Sequence, residues 1–215
     1  MEINIAGEKL LLSESKVIYW SRQQTLFIAD LHLGKTSHFR KSGIAIPLAI
    51  VKAEIDRIEN TILKFRPKKV FFLGDLFHSD LNHEWSIFTD FIEQYGDIQF
   101  TLIKGNHDIL NDSIYKMSSL QIEKEPFLLT PFVLSHHPLN TQEIDDSQMN
   151  LCGHLHPGIS IKGKGKSDLT LACFYLLQNK LILPAFGRFT GLAKIKLEKA
   201  GSAYAILNNS VLKIG

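Results

Sequence analysis

A chain of 215 residues, 45% hydrophobic and 21% charged, is long and apolar enough to bury a full core, and no tract is biased enough to predict disorder or a fibrous repeat. A net charge of +2 with a pI near 8.4 excludes the strongly basic balance typical of many nucleic-acid-binding domains, so any such partner must be argued locally. No apolar run reaches the roughly 18 residues of a membrane-spanning helix. The opening MEINIAGEKLLL carries acidic Glu2 and an interrupted apolar run, unlike a secretory signal, and Cys152 and Cys173 have neither metal-type spacing nor a disulfide-rich context. These features predict a cytoplasmic protein with reduced thiols and one domain over residues 1–215.

Residues 2–5 and 9–12, separated by Ala6-Gly7-Glu8, read as a hairpin, and Lys16 to Trp20 as a further strand before the polar turn at 21–24. Thr25 to Ala29 is a continuous apolar run, the pattern of a strand buried on both faces, and it ends at Asp30-Leu31-His32. Pro47 suits a first helical position, and Leu48, Val51, Ile55, Ile58, Ile62 and Phe65 recur at helical spacing until Pro67. Lys69 to Leu73 is the next apolar strand and runs into Gly74-Asp75, so the first two acids come from a strand, helix, strand unit that favours parallel pairing. A second amphipathic helix over Glu84 to Tyr95 and a strand over Ile98 to Ile103 lead to Gly105-Asn106-His107-Asp108. Pro131 to Leu134 precedes Ser135-His136-His137-Pro138, and Asn150 to Cys152 precedes Gly153-His154-Leu155-His156. Leu169 to Leu177, Lys180 to Leu183, Lys194 to Leu197, Ala203 to Leu207 and Val211 to Ile214 predict strands closing a second sheet.

Five apolar runs therefore end in metal-competent residues, and in α/β sheets ligand sites gather outside the carboxyl ends of strands. Carboxylates can bridge two cations, while imidazoles and an amide oxygen complete the coordination without excess negative charge. Asp75 is the bridging candidate. His136 and His137 are adjacent, so in extended chain they point to opposite sides and one of them is the ligand.

The ordered set Asp30-Leu31-His32, Gly74-Asp75, Gly105-Asn106-His107-Asp108, His136 and Gly153-His154-Leu155-His156 resembles the calcineurin-like metallophosphoesterase superfamily. The resemblance implies an α/β four-layer sandwich, two mixed β-sheets flanked by helices. It assigns Asp30, His32, Asp75 and His156 to one divalent metal and Asp75, Asn106, His136 and His154 to another, with Mn expected and Fe, Zn or Mg as alternatives. It implies in-line attack on phosphorus by a metal-bridging hydroxide, with His107 serving the leaving oxygen and Asp108 orienting His107. His137 is read as a residue supporting the ligands, His78 has either that role or a solvated loop open to it, and His38 and His83 are read as surface residues.

Finer likeness lies in Asp30 to Lys35, Phe39-Arg40, Gly43-Ile44, Gly74 to Ser79, His154 to Gly158, Leu171 to Phe174 and Pro184 to Gly191. These stretches resemble the bacterial ligase-associated DNA-damage-response phosphodiesterases. That resemblance implies a DNA endonuclease in repair, partnered by a DNA ligase, a helicase and an exonuclease, with no membrane association. Arg40, Lys162, Lys164, Lys166 and Arg188 are the candidate substrate contacts, able to hold phosphates flanking the scissile one, with a solvated loop the alternative for Lys162 to Lys166 and a structural salt bridge the alternative for Arg40 and Arg188. Phe39, Phe186 and Phe189 have either base stacking or core packing open to them. Two rival readings stand beside this one: a phosphodiesterase or phosphomonoesterase of small nucleotides, and a non-catalytic scaffold of the same fold. The scaffold should have lost ligands or His107, and both are retained.

Overall fold

The computed structural model describes residues 1–35, 49–77, 83–162, 168–188 and 190–214, and of 49–51, 162 and 168 the backbone alone. Arg40, His78, Lys164 and Lys166, together with His38, Phe39, Phe189 and the Pro47-Leu48 helix start, lie outside the described residues.

Seven strands form the first sheet in chain order: β1 (Glu2–Ile5), β2 (Glu8–Leu12), β3 (Ile18–Trp20), β4 (Thr25–Ile28), β5 (Lys69–Leu73), β6 (Gln99–Ile103) and β7 (Leu120–Glu123). Short turns make β1 to β4 antiparallel. From β4 to β7 the pairing is parallel, each step crossing through a helix: α1 (Ala49–Phe65), α2 (His83–Gln94) and α3 (Asp112–Lys116). Helix α1 stops where Arg66 turns left-handed (φ 46°), its N–H reaching the Ile62 carbonyl at 2.7 Å, just before Pro67.

The continuous apolar character of β4, β5 and β6 has a simple cause: both faces are covered. Leu26, Ile28, Val70, Phe72, Phe100 and Leu102 pack on Ile55, Ile58 and Ile62 of α1 and Trp85, Phe88 and Phe91 of α2. The alternate residues Phe27, Ala29, Phe71, Leu73 and Ile103 face the second sheet. That sheet has nine strands: β8 (Phe127–Leu129), β9 (Phe132–Leu134), β10 (Met149–Cys152), β11 (Pro157–Lys162), β12 (Asp168–Leu177), β13 (Lys180–Ile182), β14 (Ala193–Lys194), β15 (Gly201–Leu207) and β16 (Ser210–Ile214). Its order is β14-β11-β12-β13-β10-β9-β8, with β15 on β12 and β16 on β15. Leu134, Leu151, Phe174 and Leu181 carry its inner face into the shared interior.

The expected α/β class with two mixed sheets is therefore observed. Among the described residues, α1, α2 and α3 all pack on the first sheet. The outer face of the second sheet, with Cys152, Cys173, Tyr175 and Ile182, packs against Ile195 and Leu197. The strand expected over Lys194 to Leu197 is shorter and earlier: regular pairing covers Ala193–Lys194, followed by one bond from the Ile195 N–H to the Gly158 carbonyl at 2.9 Å, and Ile195 and Leu197 lie as a cover. The short α3 and the strands β7, β8 and β11 escape sequence reading. Five residues are too few for a helical period, and β11 begins with Pro157-Gly158, which reads as a turn. Both cysteines are free and buried, and burial pushes the Cys173 thiol up to about 12. His83 is exposed, as expected. No helix of the described residues is long and apolar enough to cross a membrane.

Beyond their last regular residues the strands stay laddered. Asp30 N–H bonds the Gly74 carbonyl, His32 N–H the Asp75 carbonyl, Ser135 N–H the Leu151 carbonyl and Gly153 N–H the His136 carbonyl, at 2.8–3.3 Å. The motif loops are thus extensions of the sheets rather than free excursions. Phe174, fully buried between the sheets, tests the shared interior. Phe174→Ala is expected to cost about 3–5 kcal/mol in urea unfolding followed by circular dichroism. Leu169→Ala, on an exposed side chain of the same strand, should cost under about 0.5 kcal/mol.

Candidate metal centre

Two buried carboxylates organise the centre, Asp30 at 0% exposure and Asp75 at 2%. Asp30 follows β4 and accepts the His154 N–H at both oxygens (3.1 and 2.9 Å), so a first-sheet acid is braced by a second-sheet loop. Asp75 follows β5, and its Oδ1 accepts the His107 N–H at 2.9 Å. Each acid thereby fixes the position of another motif.

The imidazoles converge on these acids. His136 Nδ1 lies 3.2 Å from the Leu73 carbonyl, which can only accept, so Nδ1 carries the proton and Nε2 keeps its lone pair for the centre. That Nε2 lies 3.0 Å from Asn106 Oδ1, 3.0 Å from His154 Nδ1 and 3.4 Å from Asp75 Oδ1. On the other side, His156 Nε2 is 3.5 Å from Asp30 Oδ1 and 3.4 Å from His32 Nε2, and His32 Nε2 is 3.7 Å from Asp75 Oδ2. Donors bound to one cation at about 2.1 Å, at octahedral or tetrahedral angles, stand roughly 3.0–3.4 Å apart. The observed separations match this spacing to within a few tenths of an ångström, and the mixed carboxylate, imidazole and amide donor set suits a Mn, Fe or Zn class ion. All seven sequence-derived ligand candidates, Asp30, His32, Asp75, Asn106, His136, His154 and His156, are brought together.

The backbone is strained where the donors are. Asp30, His32, Asp75, His154 and His156 all have positive φ, from 47° to 68°, in the region that costs an L residue about 1–2 kcal/mol. Gly74 has φ 76°, and a Cβ there would stand 2.2 Å from His136 Nδ1, so this position takes only glycine without displacing the imidazole. Burial, then the neighbouring His136 and His137, hold His154 below the usual histidine range, which favours the neutral form that binds metal.

Asp108 is buried, and its oxygens accept the Gly105 N–H (2.8 Å) and the Phe77 N–H (3.0 Å). Burial pushes its carboxyl up to about 7 in spite of those donors, with the Asp75 charge adding to the rise. The carboxylate ties the loop after β6 to the loop after β5. The His107 ring stands edge-on to that of His32, with centroids 5.6 Å apart.

Sequence reasoning missed two carboxylates that hold this framework. Glu125 Oε2 accepts the N–H groups of His136 (2.6 Å) and His137 (2.9 Å), and its Oε1 meets His137 Nδ1 at 2.6 Å. Burial draws the Glu125 carboxyl upward, but His137 and the two backbone donors together hold it below the ordinary range. The hairpin register contained the signal: Phe127 pairs with Leu134, so stepping two residues outward sets Glu125 opposite His136. Glu84, buried on α2, accepts the Gly34 N–H at 2.7 Å and fixes the segment after His32. Of the adjacent histidines, His136 is fully buried among the donors, whereas His137 is partly exposed with a nitrogen within 4.8 Å of those of His136 and His154.

The substrate candidates are less concentrated. Arg188 is 57% exposed, with Nε 3.5 Å from the buried Glu54 carboxylate. Lys162 closes β11, five residues and roughly 17 Å of extended chain beyond Pro157 at its start. Phe186 is fully buried, the core-packing alternative.

A family model of the calcineurin-like phosphoesterase matches residues 24–171. Among solved structures, the Pseudomonas putida nuclease MPE is similar over 100% of this chain and 99% of its own, at 26% identity and a TM-score of 0.80. The phosphoesterase Yfce of E. coli matches 88% of this chain and 97% of its own at 13% identity and a TM-score of 0.45. No curated protein matches the chain.

Removing the three-way acceptor tests the brace on the histidines. Glu125→Ala is expected to lower metal affinity about 10–100-fold, read by titrating metal-depleted protein with Mn²⁺ in a calorimeter, with the far-ultraviolet dichroism retained.

Proposed function

The chain belongs to the calcineurin-like phosphoesterase family, and from that premise we propose that this metal-dependent phosphoesterase is a dinuclear phosphodiesterase of nucleic acid, a DNA endonuclease acting in repair. The observation that carries the two-metal reading is the division of labour at Asp75, whose Oδ2 addresses His32 while its Oδ1 addresses His136. One carboxylate thus separates two donor groups: Asp30, His32 and His156 on one side, Asn106, His136 and His154 on the other. When bound, two divalent cations, Mn foremost by resemblance, supply Lewis acidity that activates water and offsets charge on the phosphoryl oxygens.

The chain's own residues orient and protonate. His107 stands on the loop whose N–H is anchored to Asp75, and it delivers a proton to the leaving oxygen. Asp108 positions His107 through the backbone, pinning Gly105 two residues upstream to the Phe77 segment. A nucleic-acid substrate is supported by the full-length likeness to a solved nuclease and by the exposed Arg188 guanidinium. Association with a DNA ligase, a helicase and an exonuclease in the cytoplasm belongs to the same proposal.

Metal-depleted protein refilled with Mn, Zn or Mg should be assayed on bis(p-nitrophenyl) phosphate, p-nitrophenyl phosphate, and single-stranded and nicked DNA. Metal-dependent cleavage of the diesters is expected, lost in Asp75→Asn. His107→Ala should slow DNA cleavage about 10²–10⁴-fold, and slow the p-nitrophenyl diester less, because that leaving group needs no proton. Turnover of the monoester alone would overturn the phosphodiesterase reading, and full activity of Asp75→Asn would overturn the bridging role.

A further inference from the structure

Among the described strands, the second sheet ends in an edge of only two residues, β14 (Ala193–Lys194), paired in parallel with β11. Pro157 faces Ala193 and Gly158 faces Lys194, and the Ala193 N–H bonds the carbonyl of the ligand candidate His156 at 3.0 Å. Lys194 thus stands one strand over from a residue two positions past His156. At ordinary strand spacing their Cα atoms are no more than roughly 8 Å apart. Since β11 and β14 both start at the ligand loop and run the same way, higher numbers on either lead away from the metal centre.

Past Lys194 the burial keeps the period of an extended chain. Ile195 and Leu197 pack on the outer face of the second sheet, so alternation turns Lys194 and Lys196 outward, and both are exposed. Neither has an ion-pair partner among the described residues, and Glu198 is the first acid after them. Successive outward residues of an extended chain stand roughly 6.6 Å apart, a step comparable to that between neighbouring phosphates of an extended single strand. The end nearest the metal centre is apolar instead. Leu155, between His154 and His156, is 42% exposed and Leu192 38%. Leu192 lies against the ligand loop, since a Cβ on Gly158 would stand 3.0 Å from its Cβ. Lysines on an edge strand ordinarily keep it from pairing with another chain, but an edge built only for that purpose would not also expose leucines. Apolar contact followed by spaced cations suits a ligand that carries both bases and phosphates.

We propose that Lys194 and Lys196 form a track that carries one nucleic-acid strand away from the metal centre along β14. The inference rests on the nucleic-acid reading above and deepens it: the substrate is a strand of several nucleotides, held by phosphates beyond the scissile one, rather than a single nucleotide. Ammonium groups on flexible stems hold phosphates without reading the bases. The track therefore adds affinity that grows with strand length and carries no sequence preference of its own.

The test measures cleavage of thymidine strands of 3 and 12 nucleotides by the Mn-loaded full-length protein over a salt series. In Lys194→Gln/Lys196→Gln the 12-mer to 3-mer ratio of kcat/KM should fall about tenfold, chiefly through KM, and the salt slope of log KM on the 12-mer should drop by roughly 1.4 for two lost phosphate contacts. Lys68→Gln/Lys69→Gln matches the change in charge at the end of β5 away from Asp75 and should keep the wild-type ratio. Because each ratio is taken on one protein, a change in its folded fraction cancels. A ratio in Lys194→Gln/Lys196→Gln no lower than in the control overturns the track, leaves its lysines as edge protection, and leaves the nuclease reading intact. A wild type that hydrolyses bis(p-nitrophenyl) phosphate yet cuts neither strand overturns the nucleic-acid reading itself, and the ligand assigned to the track with it.

Discussion

The Asp30 carboxylate, buried at the seam between the two sheets, is the constraint on which the rest depends. It issues from β4 of the first sheet and takes the His154 N–H of the second sheet on both its oxygens. A buried carboxylate without such donors would be expensive, and here the donors come from the opposite layer, so satisfying the charge also sets the two sheets in register. The shared interior of Phe27, Phe71, Phe132 and Phe174 supplies the bulk of cohesion, but apolar packing is non-directional. The directional bond at the seam is what brings the ends of β4, β5, β6, β9 and β10 to one place.

The same device recurs through the centre. Asp75 holds His107 N–H, Asp108 holds Gly105 and Phe77 N–H, Glu125 holds the N–H groups of His136 and His137, and Glu84 holds Gly34 N–H. Acids outnumber what a metal alone requires because several of them fix backbone rather than cation. Their bonds offset the cost of the positive φ values at Asp30, His32, Asp75, His154 and His156.

The donors at the seam constitute a phosphoester-cleaving centre of a general kind, while the exposed Arg188 follows the loop whose Phe186 and Gly187 N–H groups bond the Ala29 and Asp30 carbonyls.

Much of the centre was legible in the residue order, since each motif follows an apolar run and a strand end is a local property. Strands buried on both faces, the α1 stripe of Ile55, Ile58 and Ile62, and the acids and imidazoles at the run ends can all be read from nearest neighbours. What could not be read was whatever depends on residues far apart meeting: Glu125 opposite His136, Glu84 under Gly34, Arg57 gripping Phe186 across 129 positions. Nor did periodicity reveal that Ile195 and Leu197 would cover a sheet rather than join it. By itself the sequence determined which groups are able to bind metal and which segments carry them, because donor chemistry and strand propensity reside in the residues. Only the tertiary structure decided that Asp75 faces two imidazoles on opposite sides and that two guanidiniums share Glu54, because distance between chain-remote groups is set by packing and by the hydrogen bonds that packing must satisfy.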